Sequence, residues 1–199
     1  MIDHFEIKAA DYEKNSKRVQ NVINIAEKIN AAIHLDKSMH LMDFGSGTGL
    51  LLEQIAPSVK TITAVDVSPS MMEQLLAKKD RIQCELKPRQ LDLETEKLNE
   101  QFDGIISSMT LHHIKDVPAM LKDFWHMLPE GGFVALADLD TEDGSFHTED
   151  TGVQHFGFDR TWFEGQLSLA GFKNIHSCTA NEINKPTGDY TVFLVTATK

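Results

Sequence analysis

The chain has 199 residues, a formal net charge of −11 and a sequence pI near 5.2. That length suits one domain, 1–199, burying about 70% of its unfolded surface without metal or disulfide help, and the acidic balance excludes a protein that works by neutralising phosphates, so no nucleic-acid partner is expected. No apolar run approaches the roughly 18 residues of a membrane span, and Met1–Glu6 lacks the basic and apolar regions of a signal peptide, so the expected setting is cytoplasmic, with Cys84 and Cys178 as small buried hydrophobes.

Val19, Val22, Ile23, Ala26, Ile29 and Ile33 recur at three- and four-residue steps. They predict an amphipathic helix within an N-terminal helical cap over about residues 1–36. A first strand then runs into Asp43-Phe44-Gly45-Ser46-Gly47-Thr48-Gly49. A short helix follows from Leu50 to Ala56, stopped near Pro57, and a second strand, Thr61–Val65, ends on Asp66. Ser68 is a candidate N-cap and Pro69 the first residue of a helix reaching Lys79.

A third strand is expected within Ile82–Leu91, although Pro88 interrupts it, and Phe102–Ser107 reads as a buried fourth strand. A helix over Pro118–Leu128 and a Pro129–Gly132 turn lead to a fifth strand, Phe133–Asp138. Thr161 and Glu164 have capping-box spacing for a helix ending at Gly171. Two alternating segments, Asn174–Ile183 and Tyr190–Thr198, are joined by a link too short for a parallel crossover and must pair antiparallel. Strands separated by helices otherwise make a parallel α/β sheet.

Strand, glycine turn, helix, strand and terminal acid form the arrangement with which an open α/β sheet holds an adenosine-containing cofactor. A dinucleotide fingerprint started at Gly45 requires glycine at position 50, where this chain has leucine; the third glycine is Gly49. The dinucleotide loop serves a pyrophosphate, and the missed spacing makes an NAD-dependent oxidoreductase the less favoured alternative. Asp43–Gly49 resembles the first motif of class I S-adenosylmethionine-dependent methyltransferases, whose cofactor has no phosphate and passes its methionyl arm over bare backbone. The resemblance spans nearly the whole chain, is strongest over Met39–Asp140, and includes small-molecule enzymes of ubiquinone and menaquinone biosynthesis.

The resemblance implies a Rossmann-like, seven-stranded, mostly parallel sheet with an antiparallel C-terminal strand and helices on both faces. It further implies that Asp66 accepts the ribose hydroxyls, that Asp43 lies near the cofactor's amino group, and that Gly45, Ser46, Gly47, Thr48 and Gly49 wrap the methionyl arm. Holding the turn's N–H groups is the competing role for Asp43. Asp92 matches the family's adenine-binding acid, with Leu93 as a backbone contact. Val67, Met71 and Met72 are candidates for the adenine face, with core packing as the alternative for the methionines. Ser107 and Ser108 offer carbonyls to the amine, and Tyr12 resembles an N-terminal aromatic that caps the methionyl end.

The sulfonium supplies the leaving group, so the protein must align and desolvate a nucleophile, and needs a base only if that nucleophile arrives protonated. His112 and His113 are the candidate bases, competing with a role as a helix-start feature, and Met109 belongs to the same segment bordering the methyl. Residues after Asp138 are expected to form a flap carrying His147 and His155, both candidates for contact with the acceptor. Their spacing matches no zinc pattern, so no metal is expected. The flap's acids suggest an acidic rim that favours a neutral or cationic small-molecule acceptor. The expected function is methyl transfer from S-adenosylmethionine, giving S-adenosylhomocysteine; a catalytically silent cofactor-binding or regulatory protein is the main alternative.

Overall fold

Seven strands form one sheet in the order β3-β2-β1-β4-β5-β7-β6 in a computed structural model that describes residues 3–149 and 151–199. The strands are β1 (His40–Phe44), β2 (Thr61–Asp66), β3 (Glu85–Gln90), β4 (Gly104–Ser108), β5 (Phe133–Leu139), β6 (Lys173–Lys185) and β7 (Gly188–Thr198). The first five pair in parallel, and β7 runs antiparallel to both β5 and β6. Five helices cover the sheet: α1 (Ser16–Ala32), α2 (Leu50–Ile55), α3 (Pro69–Ala77), α4 (Val117–Met127) and α5 (Arg160–Ala170).

Side-chain alternation along each strand sorts the core into two layers. Leu41 and Ile106 face a cluster with Ile25, Ile29, Leu52 and Leu75 from α1–α3, whereas Met42 and Ile105 face Leu121, Phe124 and Phe163 from α4 and α5. Strand order reverses between β1 and β4, which opens a crevice at their carboxyl ends, the place where open α/β sheets bind ligands. None of the helices among the described residues is long and apolar enough to cross a membrane.

Several local expectations are revised. The buried face of α1 is centred on Asn21, Val22, Ile25, Ala26 and Ile29, with Val19 and Ile23 at its edges. Asn21 is buried because its side-chain oxygen accepts from Asn181 Nδ2 at 2.8 Å. Pro88 does lie within β3, opposite Ala64, and is tolerated because β3 is an edge strand. The cap of α5 is Asp159, which accepts from Trp162 N at 2.8 Å, and not Thr161; Glu164 instead accepts from the Ser177 hydroxyl. The final hairpin closes over Pro186 and Thr187, four residues tighter than the expected link, with Lys185 paired to Gly188. Cys84 and Cys178 are free and only half-buried.

Candidate functional site

A cleft of about 870 Å³ opens over the carboxyl ends of β1, β2 and β4. Its floor begins with the glycine turn. Gly45 and Gly47 have φ of +69° and +53°, a region costly for side-chain-bearing residues. A Cβ on Gly45 would overlap the Thr110 side chain, whereas one on Gly47 would meet nothing within 4 Å. Space at Gly47 is therefore left to a ligand that approaches the backbone itself.

Asp66 holds this turn. Its carboxylate accepts from Gly47 N at 2.6 Å and from Ser68 N at 2.8 Å, one bond to each oxygen, which leaves acceptor capacity on both. Burial pushes its pKa up, opposed by those two amides. Asp43 does not hold the turn's N–H groups, since Asp66 does; its Oδ2 is buried without a hydrogen-bond partner among the described residues. Burial, and secondarily the nearby Asp66 charge, raise the Asp43 pKa to about 8.

Ser46 Oγ, Thr48 Oγ1 and Ser108 Oγ are likewise buried and unpartnered among the described residues. Each orphaned polar group costs about 1–3 kcal/mol, and here four gather around one glycine turn. The bare backbone at Gly47, an acid without a cation and three free hydroxyls fit the amino-acid end of S-adenosylmethionine. Asp43 would take its ammonium group and the Asp66 oxygens its ribose.

An acid whose pKa is raised on folding contributes stability that is present below the unfolded value and lost as pH climbs through the folded one. For Asp43 that window lies between 3.8 and about 8. Asp43→Asn should therefore melt with the wild type below pH 4 and above it at pH 8, by about 2–4 °C per kcal/mol recovered. Scanning calorimetry of the ligand-free protein checks this, and the same variant should bind S-adenosylhomocysteine more weakly.

Tyr12, Val67, Met71, Asp92, Leu93 and Met109 also line the cleft. The Tyr12 ring lies under the Arg18 guanidinium at 3.9 Å, and Phe5 meets it edge-on at 6.5 Å. The Asp92 carboxylate accepts from Glu94 N and the Thr95 hydroxyl, stiffening the loop after β3. Met109 has φ +58°, held by its N–H bond to Ala137 O at 2.9 Å. Strain of this kind concentrates where a chain must present one geometry to a ligand. Gly49, Ser107 and His155 are not on the cleft wall. Gly49 starts α2, Ser107 Oγ donates to Phe44 O at 2.8 Å, and His155 Nε2 meets Ile114 O at 2.9 Å.

At the other end of the cleft His112 Nδ1 lies 2.7 Å from Asp138 Oδ1, both side chains being 1% exposed. The Asp138 carboxylate also accepts from the backbone N–H groups of His112 and Leu139. This acceptor fixes the proton on Nδ1 and leaves the lone pair on His112 Nε2, which is buried and has no described partner. The His113 and His147 rings pack beside that of His112, with centroids 4.3 and 5.0 Å away. Burial, with the neighbouring imidazoles, lowers the pKa of His113 to about 4 and of His147 to about 3. Among the described residues no group of three or more His, Cys, Asp or Glu has metal-binding geometry.

The described residues of the flap, 140–149 and 151–159, are tied down to this centre. Gln154 N and His155 N both donate to His112 O, at 2.9 and 3.0 Å. Among the described residues its acids are engaged and do not form a free rim; Asp150 lies outside the described residues. Asp140 makes a bidentate pair with Arg160, Glu142 accepts from Gly144 N and Phe146 N, Asp143 serves Ser145, and Glu149 bridges to Lys8 at 2.5 Å. Sequence reasoning missed Asp138 as a partner of His112 and missed the cleft's basic wall of Lys8, Lys17, Arg18 and Lys185. The Asp138 signal was its place at the end of a strand; the cations had none, because β6 and α1 meet only in three dimensions.

Comparison with known proteins agrees with this geometry. A methyltransferase-domain family model matches residues 17–177. An uncharacterized methyltransferase of Schizosaccharomyces pombe is 32% identical over 164 residues, 74% of this chain and 56% of that protein. The malonyl-[acyl-carrier protein] O-methyltransferase of Acetivibrio thermocellus is 27% identical over 141 residues, 67% of this chain and 47% of that protein. The chain thus spans about half the length of these relatives. Among solved structures, magnesium protoporphyrin IX methyltransferase from Synechocystis with bound S-adenosylhomocysteine superposes with TM-score 0.69 at 16% identity, covering 92% of this chain and 84% of that one. Phosphoethanolamine N-methyltransferase 2 of Haemonchus contortus, in complex with S-adenosylmethionine, gives 0.69 at 15% identity over 88% of this chain and 52% of that one. By family model, fold and strand order, the chain belongs to the methyltransferase-domain family in its class I, S-adenosylmethionine-dependent form.

Proposed function

We propose that this chain transfers a methyl group from S-adenosylmethionine to a small molecule bearing a protonated nucleophile, and that the His112–Asp138 pair takes the proton. The observation that carries this reading is one continuous cleft joining the unsatisfied polar cradle at Asp43–Thr48 to a histidine whose outer nitrogen has no protein partner. The bound cofactor supplies a methyl on a positively charged sulfur, which leaves without acid assistance. The protein's share is alignment and proton removal. His112 Nε2 would take the nucleophile's proton during transfer, and Asp138, bonded to Nδ1, would face the resulting imidazolium. His147, on the flap, packs its ring 5.0 Å from that of His112. The Met109 conformation sets the backbone between the two ends of the cleft.

The test is an acceptor screen with isotopically labelled S-adenosylmethionine, scored by mass spectrometry for a labelled product with stoichiometric S-adenosylhomocysteine. Tight cofactor binding without product from any acceptor would instead indicate a catalytically silent binding protein.

A further inference from the structure

Lys17, Arg18 and Lys185 stand on the cleft wall beyond the histidines, and none has a carboxylate within ion-pair distance among the described residues. Each is held by neutral groups. Lys17 Nζ donates to Asn184 O at 2.9 Å and Arg18 Nη1 to Tyr12 O at 2.6 Å. Lys185 Nζ donates to Phe146 O at 2.7 Å and sits 3.4 Å above the Phe146 ring. Carbonyls and aromatic faces fix a cation in place without cancelling its charge.

Lys8 lies close enough to add to this field but is paired with Glu149. Among the described residues Glu142 is the carboxylate that acts on Lys185; two flap amides occupy its Oε2, and its Oε1 is buried. Among the described residues, four cations thus face Glu142 and Glu149 at one end of a cleft in a chain whose net charge is −11. Concentrating like charges on one wall, with Arg18 and Lys185 half-buried and Lys17 exposed beside them, is unfavourable unless an anion is to be met there. Phe5, Val22, Phe146 and Ile183 supply apolar lining to the same cleft, and Phe146 packs against both Lys185 and His147.

We infer that the methyl acceptor is an organic acid, an apolar body ending in an anionic group that Lys17, Arg18 and Lys185 hold at the mouth while the far end reaches His112. This rests on the functional reading above and reverses the expectation of a neutral or cationic acceptor, which was drawn from flap acids that the structure engages elsewhere.

Benzoate and its uncharged counterpart benzamide are the probes, titrated by calorimetry and by NMR of the arginine Nε–H signals into protein loaded with S-adenosylhomocysteine. Benzoate should bind saturably and shift the Arg18 signal, with benzamide at least about tenfold weaker, a difference of about 1.4 kcal/mol. The R18Q/K185Q double variant should lose about tenfold in benzoate affinity and keep its affinity for S-adenosylhomocysteine within about twofold. Equal binding of benzamide, absence of benzoate binding, or an unchanged benzoate affinity in the double variant overturns the inference. Failure to bind S-adenosylhomocysteine at all would strike the functional reading instead, so the two failures are distinguishable.

Discussion

His112→Gln should lower kcat by about 10²–10⁴-fold, the range over which a positioned base contributes, while S-adenosylhomocysteine affinity measured by calorimetry stays near the wild-type value. The expectation comes from geometry. His112 Nδ1 is bound to Asp138 at 2.7 Å and Nε2 is the atom left over. His113→Gln should cost less than about tenfold, because burial holds its pKa near 4 and the Asp138 hydrogen bond goes to His112 instead. Asp138 is a positioning residue, so its variant needs a readout that mere loss of stability would not move. Asp138→Asn should reduce kcat and alter the pH profile of kcat, since an amide can donate to Nδ1 and turn the unprotonated nitrogen inward. A His112→Gln enzyme with wild-type kcat would exclude the imidazole as base and leave methyl transfer to proximity alone.

Asp66→Ala should weaken S-adenosylhomocysteine binding by about ten- to a hundredfold, roughly the 1.5–3 kcal/mol of charge-assisted hydrogen bonds. Two causes act together. The carboxylate is lost as an acceptor for the ribose, and the amides of Gly47 and Ser68, now 2.6 and 2.8 Å from its oxygens, lose their partner. Asp66→Asn separates them, because its single carbonyl oxygen can serve one of those amides and not both. It should fall between wild type and Asp66→Ala in affinity, with a smaller drop in melting temperature than alanine gives. Calorimetric titration paired with thermal melts reads both, and an unchanged affinity in Asp66→Ala would remove Asp66 from the site.

Much of this architecture was legible because local signals and global fold agree. Gly45, Gly47 and Gly49 announce positive φ, Ser68-Pro69 announces a helix start, and the short link after Ile183 forces antiparallel pairing. Where two signals competed, the nearer one won: Asp159, immediately before α5, caps it, although Thr161 and Glu164 have the spacing of a capping box. The Asp43–Asp66 end of the cleft is assembled from residues that follow one another along β1, β2 and the loop after β3, so sequence order nearly reproduces it. The histidine end is not. Phe5, Arg18, His112, His147 and Lys185 come from five separate stretches, and only the return of the β6–β7 turn over α1 brings them together. His155 illustrates the same limit, being eight residues from His147 and yet turned to Ile114 O.

The N-terminal segment has a consequence for how the two ligands influence each other. At one end Asp3 accepts from the hydroxyls of Ser68 and Ser70, two and four residues beyond Asp66; at the other, Lys8 is bonded to Glu149 of the flap. A single strap is thus stitched to both halves of the cleft, one stitch on the donor side and one on the acceptor side. A ligand that tightened the strap at one end would favour binding at the other, and thermodynamic reciprocity requires the factor to be the same in both directions. The methyl donor and its acceptor would then be read by this protein as a pair.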